Sequence, residues 1–138
     1  MITAAFATAD GIHVDTHFGR CARFDIYDIS AESVQLREVR SIATSVAADD
    51  VDNENHRLQV RLDSLAGCAL VCVASIGPGA AARVVKARVH PLKATPSTTI
   101  ASVLDRLQAV LQGTPPPWLR RLQSHSVHSA HSPAGGST

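Results

Sequence analysis

The chain has 138 residues, 45% of them apolar, with a formal net charge of +1, which allows one domain with a proper core and lacks the basic excess of a nucleic-acid binder. No window approaches the roughly 18 apolar residues of a membrane span, and no charged-then-apolar leader opens the chain, so neither a membrane nor export is expected. Three cysteines without such a leader read as reduced thiols in the cytoplasm, and an aromatic content of 4% excludes a base-stacking platform.

Residues 2–8 (ITAAFAT) form a short apolar run that ends in the turn dipeptide Asp10-Gly11, and read as a buried strand. The stretch HVDTHFGRC (13–21) follows, dense in polar side chains, and then ARFDIYDIS (22–30) alternates with period two. Phe24 and Ile26 face one way, Asp25, Tyr27 and Ile29 the other. The run 33–42 alternates again with polar residues on both faces, which suits an edge strand hairpinned to the one before. HRLQVRLDSL (56–65) spaces Leu58, Leu62 and Leu65 as an amphipathic helix, with Asp52, Asn53 and Glu54 as a solvated acidic start favoured by the helix dipole. CALVCVASIG (68–77) reads as a strand buried on both faces. Gly77-Pro78-Gly79 breaks it and opens a helix over AAARVVKA, with Pro78 in the first turn. A short strand at 89–94 leads to a last helix, 98–113, with Ile100, Val103, Leu104, Leu107, Val110 and Leu111 on one stripe.

The order β, β, β, α, β, α, β, α calls for a five-stranded mixed α/β sheet, spatial order 3-2-1-4-5, with right-handed crossovers and helices on both faces. This is the ribonuclease H-like arrangement. The domain is expected over 1–112, followed by a Pro-rich extension at 113–123 and a disordered Ser/His tail at 124–138. In this order strands one and four are parallel neighbours whose crossovers leave in opposite directions. Ligands of such sheets sit beyond the carboxyl ends of the strands at that switch point. The segments that fall there are 10–20 and 76–80.

The polar loop therefore stands where a ligand is expected. His17 offers an imidazole and Cys21 a thiolate, both able to bind a metal, while Arg20 and Arg23 could hold an anion or donate to sulfides. Gly19 permits close backbone approach, and His13 stands near enough in sequence to assist. One histidine and one cysteine do not close a zinc site, but they could hold one end of a preformed cluster. The plain structural reading is a capped turn with Cys21 packed inward. Gly77 and Gly79 form a close-packed wall of the same crevice rather than a phosphate cradle, because Pro78 removes a donor and no G-K-[ST] follows. Cys68 and Cys72 on one strand would share a face about 13 Å apart, too far to chelate, and are expected to be core thiols. His56 and His90 are isolated and expected to be structural. Asp10 and Asp15 do not make a nuclease, which needs several carboxylates converging on two metals. The tail histidines His125, His128 and His131 are expected to be solvated. No nucleophile, base and orienter come together, so no catalysis is expected.

Three stretches, DGIHVDTHFGRCARFDIYDI, CALVCVASIGPGAAARVVKARVHPLKA and LQAVLQGTPPPWLRRL, resemble the nitrogenase cofactor-biosynthesis family that comprises NifX, NafY, NifY and the C-terminal domain of NifB. The likeness covers roughly residues 1–122 and centres on the H-F-G loop, with the P-P-P-W-L-R segment narrowing it further. It implies a small cytoplasmic carrier, not an enzyme, that binds the iron–molybdenum cofactor or its NifB-derived iron–sulfur precursor. The cluster would come from NifB and pass to the NifEN scaffold, with apo-dinitrogenase a further candidate recipient. The family's cofactor-binding histidine maps onto His17, with Phe18 and Gly19 beside it. Two other readings stay open: a redox- or iron-responsive regulator using Cys21 and His17 as a sensor, and an interaction module that never touches the cluster.

Overall fold

A computed structural model describes residues 1–42, 53–95 and 97–121. The acidic stretch before the first helix and the Ser/His tail lie outside the described residues. Five strands, β1 (Ile2–Ala7), β2 (Arg23–Ile29), β3 (Val34–Ser41), β4 (Leu70–Val73) and β5 (His90–Lys93), form one sheet in the order β3-β2-β1-β4-β5. β1 pairs antiparallel with β2 and parallel with β4; β2–β3 is antiparallel and β4–β5 parallel. The mixed sheet and strand order expected from the pattern of elements are those observed.

The helices are α1 (Asn53–Asp63), α2 (Pro78–Lys86) and α3 (Ile100–Gln112). They cover opposite faces because the central strands are apolar on both sides. Ile2, Ala4 and Phe6 of β1 pack with Ile100, Val103, Leu104 and Leu107 of α3. Ala5 and Ala7 pack on the other face with Phe18, Leu65, Ala80 and Val84, on the side of α1 and α2. All six residues of β1 are buried, as a strand paired on both edges and covered on both faces must be. Thr99 caps α3 through its side-chain oxygen, which accepts from Ser102 N–H at 3.1 Å. Among the described residues no helix is long and apolar enough to cross a membrane.

β3 is the outer edge and is mostly exposed, with Leu36 and Val39 uncovered. Its register against β2 shifts between Ile26 and Tyr27, and Arg40 ties its far end to the carbonyls of Ser64 and Ala66 at 2.7 and 2.9 Å. β4 is shorter than the 68–77 run suggested. Cys68 lies before it, in the turn after α1, so the expectation that Cys68 and Cys72 share a face fails. Cys72 packs on the α3 side, Cys68 on the α1 and α2 side. At the other end, the chain beyond Val73 leaves β1 and pairs with the polar loop instead.

The Pro-rich extension belongs to the packed body. After Gly113, the Pro116 carbonyl accepts from Leu119 and Arg120 N–H at 3.0 Å, and residues 117–121 make a helical turn. Leu119 is fully buried in the α3-side core. Trp118 stacks on the His90 ring with centroids 4.5 Å apart, and partial burial there, reinforced by Arg121, lowers the His90 pKa. Leu119→Ala should cost about 2–5 kcal/mol, read as a lower urea midpoint. A cost near zero would mean that the extension hangs free of the domain.

Candidate functional site

The loop between β1 and β2 is built in three steps. Asp10 first closes a turn: its Oδ1 accepts from the N–H groups of Ile12 and His13 at 2.8 Å, and its Oδ2 meets His13 Nδ1 at 2.9 Å. Those bonds, the His13 side chain first, hold the Asp10 carboxyl well below the usual carboxylate range. Glycine suits position 11 because its φ is +78°, a conformation strained for other residues, and a Cβ there would also push aside the tip of Arg23. Next the chain crosses the start of α3, where Val14 N–H donates to Thr98 O at 3.0 Å and Ile100 N–H to Ile12 O at 2.7 Å. It then runs alongside the end of β4. Ala74 N–H donates to Thr16 O at 3.0 Å, Phe18 N–H to Ser75 O at 2.9 Å, and His17 pairs with Ser75 in a parallel bridge.

A single 3-10 turn, Phe18–Arg20, follows. Residues three apart eclipse in such a turn, which sorts the side chains into two pairs. Phe18 and Cys21 go inward: both are fully buried, Phe18 lies 6.0 Å from the Phe24 ring, and Cys21 Sγ donates to Phe18 O at 3.3 Å. His17 and Arg20 turn the other way, into a crevice. Buried Arg61 of α1 locks the turn from beneath, donating from Nε and Nη2 to Cys21 O at 3.1 and 2.8 Å and from Nη1 to Arg57 O at 2.9 Å.

The crevice has a volume of about 360 Å³ and is lined by His17, Gly19 and Arg20 from the loop, Arg57 and Leu58 from α1, and residues 77–80 at the start of α2. His17 Nδ1 is 2.8 Å from Ser75 Oγ. Its Nε2 lies over Gly19, where a Cβ would be 3.5 Å away. Gly77 caps α2 with no side-chain hydrogen bond, and the first turn carries no acidic residue. The positive end of that helix thus faces the crevice with first-turn N–H groups that have no intrahelical acceptor. Among the described residues the lining holds two guanidiniums and no carboxylate, a balance that favours an anion.

Of the residues singled out in the sequence, the fold brings together His17, Gly19, Arg20, Gly77 and Gly79. Phe18 supports them from the core. His13 is turned to Asp10, and Arg23 is held by Asp25 through bonds of 2.9 and 3.1 Å, so neither lines the crevice. Cys21 is placed in the core rather than beside His17. Burial raises its thiol to about 11 despite the nearby Arg61 charge. Among the described residues no three His, Cys, Asp or Glu side chains gather as a metal centre. Arg57, Leu58 and Ser75 were not expected. The 56–65 periodicity shows an apolar face for α1, but not that Arg57 overhangs a loop some 40 residues earlier in the chain.

Residues 1–110 match the model of the family described as dinitrogenase iron-molybdenum cofactor. The chain belongs to that family. Among its curated relatives are protein NifX of Herbaspirillum seropedicae, 34% identical over 85% of this chain and 78% of that protein, and NifX of Sinorhizobium fredii, 35% identical over 86% and 75%. Protein NifY of Azotobacter vinelandii is 35% identical over 87% of this chain, which spans 47% of that longer protein. The solved structure of PH0822 superposes with a TM-score of 0.57 at 20% identity, over 78% of this chain and 89% of that one, which shows a shared fold. In this member of the dinitrogenase iron-molybdenum cofactor family, the H-F-G stretch is the loop that borders the crevice.

Cys21, Cys68 and Cys72 are all buried, and burial raises each from the ordinary 9.0 to about 11. Their thiolate fraction at neutral pH falls about a hundredfold on that ground alone. In native protein a disulfide reagent should label none of the three at the rate seen after denaturation. Because the fold favours the neutral thiols, their share of stability is whole below pH 9 and is lost as pH rises through about 11. Chemical unfolding followed from pH 8 upward should show that decline; a flat profile would mean the thiols are solvated.

Proposed function

We propose that this protein is a cytoplasmic carrier that binds the nitrogenase iron–molybdenum cofactor, or its iron–sulfur precursor, in the crevice beside His17. The observation that carries the reading is the donor set: one imidazole, two guanidiniums and an uncapped helix start around one opening, in a chain of this family. A metal–sulfur cluster of net negative charge presents metal atoms to a nitrogen donor and sulfides to N–H donors. His17 supplies the first, Arg20, Arg57 and the α2 N-terminus the second.

A carrier must also release its cargo. Among the described residues a single imidazole borders the open crevice without a closing thiolate, which favours exchange over storage, whereas a closed set of protein ligands would retain the cluster. Following the family resemblance, NifB is the donor and NifEN the acceptor, with apo-dinitrogenase a further recipient. The cluster is cargo and leaves unchanged, so no catalytic step is assigned. The sensor reading loses its main support, because it needs an accessible Cys21 thiol and that thiol is buried.

Anaerobic titration with isolated iron–molybdenum cofactor, followed by absorption and gel filtration, tests this. Wild type should co-elute with the cluster, and His17→Ala should not. Arg57→Ala should bind about tenfold more weakly, the loss growing as salt is lowered. Gly19→Ala meets only ordinary contacts in the fold, so it should keep the wild-type Tm while hindering approach to Nε2. Cys21→Ala should take up cluster within about twofold of wild type, a core substitution costing about 1 kcal/mol of stability. If His17→Ala binds as wild type does, the cargo sits elsewhere.

A further inference from the structure

Ser75 stands just beyond β4, where nothing in the sequence marks it, yet it holds the loop at two levels. Its backbone pairs with His17 and accepts the Phe18 N–H at 2.9 Å. Its side-chain oxygen sits 2.8 Å from His17 Nδ1. The second contact decides what the imidazole can do. A neutral ring carries one proton, and only the bare nitrogen can bind a metal. Histidine free in water favours the proton on Nε2, which here is the nitrogen on the side of Gly19, a residue that lines the crevice with His17. Nδ1 cannot take that role in its place, since Ser75 Oγ occupies its approach.

We propose that Ser75 is a positioning residue: its hydroxyl oxygen accepts the Nδ1–H of His17, fixes the ring, and leaves Nε2 bare as the nitrogen that binds the cluster. The inference deepens the carrier reading and rests on it for the metal. Partners of this kind on the far nitrogen of a ligand histidine orient the ring and raise its basicity, and losing one weakens metal binding about 10- to 100-fold. Ser75 is exposed and its backbone contacts do not involve Oγ, so Ser75→Ala removes the single interaction and leaves the loop pairing in place.

The first arm needs no cargo. Nitrogen-15 correlation spectra of the full chain at about pH 8.5, where a free imidazole is neutral, report which nitrogen of His17 is protonated. Wild type should show the Nδ1–H form; Ser75→Ala should move toward Nε2–H, and Ser75→Thr, which keeps the hydroxyl, should restore Nδ1–H. The second arm titrates the same three proteins with isolated iron–molybdenum cofactor, expecting at least a tenfold loss in Ser75→Ala and recovery in Ser75→Thr. An Nε2–H wild type, or a tautomer unmoved in Ser75→Ala, overturns the positioning role whatever the cofactor does. Equal cofactor affinity in wild type and Ser75→Ala also overturns it. Should the tautomers behave as expected while wild type binds no cofactor, the carrier reading is what fails, and the metal role of Nε2 falls with it.

Discussion

Everything at the site depends on where the loop after β1 finds its backbone partners. β1 and β4 run side by side only as far as Phe6 and Cys72; beyond that point Thr16 to Phe18 take the vacated place alongside residues 74–75. A strand end in a parallel sheet has unpaired N–H and C=O groups, and leaving them unpaired and buried is costly. The loop supplies the partners. In doing so it is nailed to the switch point of the sheet, beside the start of α2, which leaves from the same end of β4.

That pairing alone would fix a path, not an orientation. The 3-10 turn completes it by dividing four consecutive side chains between two environments. Phe18 and Cys21 fill the core under the loop, and the apolar burial of Phe18 holds the turn down. His17 and Arg20 are thereby forced outward. Cys21 is thus part of the same device that presents His17, which explains a cysteine in the loop without making it a ligand. Arg61 joins the turn to α1 through the Cys21 and Arg57 carbonyls, so Arg57 is carried to the same opening.

The α3 face serves a different purpose. Its continuous apolar stripe, the Trp118–His90 stack and the buried Leu119 pack that side of the sheet around a largely apolar cavity of about 350 Å³ between β5 and α3. The 117–121 turn lies beyond residues 1–110 that match the family model, yet it contributes a fully buried side chain. On the face bearing α1 and α2, Arg20, Arg57 and the start of α2 converge on the crevice beside His17.

Strand order, helix stripes and the position of the polar loop at the switch point were legible in the sequence, because period and connection rules are properties of local pattern and chain direction. His17, Gly19, Arg20, Gly77 and Gly79 could be named for the same reason: they lie in the two segments that the topology must bring together. What the sequence could not say was which way each side chain points within a turn, since Phe18 and Cys21 differ from His17 and Arg20 only by a rotation about the local axis. Nor could it find Arg57 or Ser75, whose place at the site is set by how α1 packs and where β4 stops, contacts between residues about 40 and 58 apart. Cys68 and Cys72 show the same limit: alternation assigns them one face only if the strand reaches both, and tertiary packing ended it short of Cys68. The sequence by itself determined the sheet and the loop at its switch point; only the packed structure decided which side chains of that loop face the crevice.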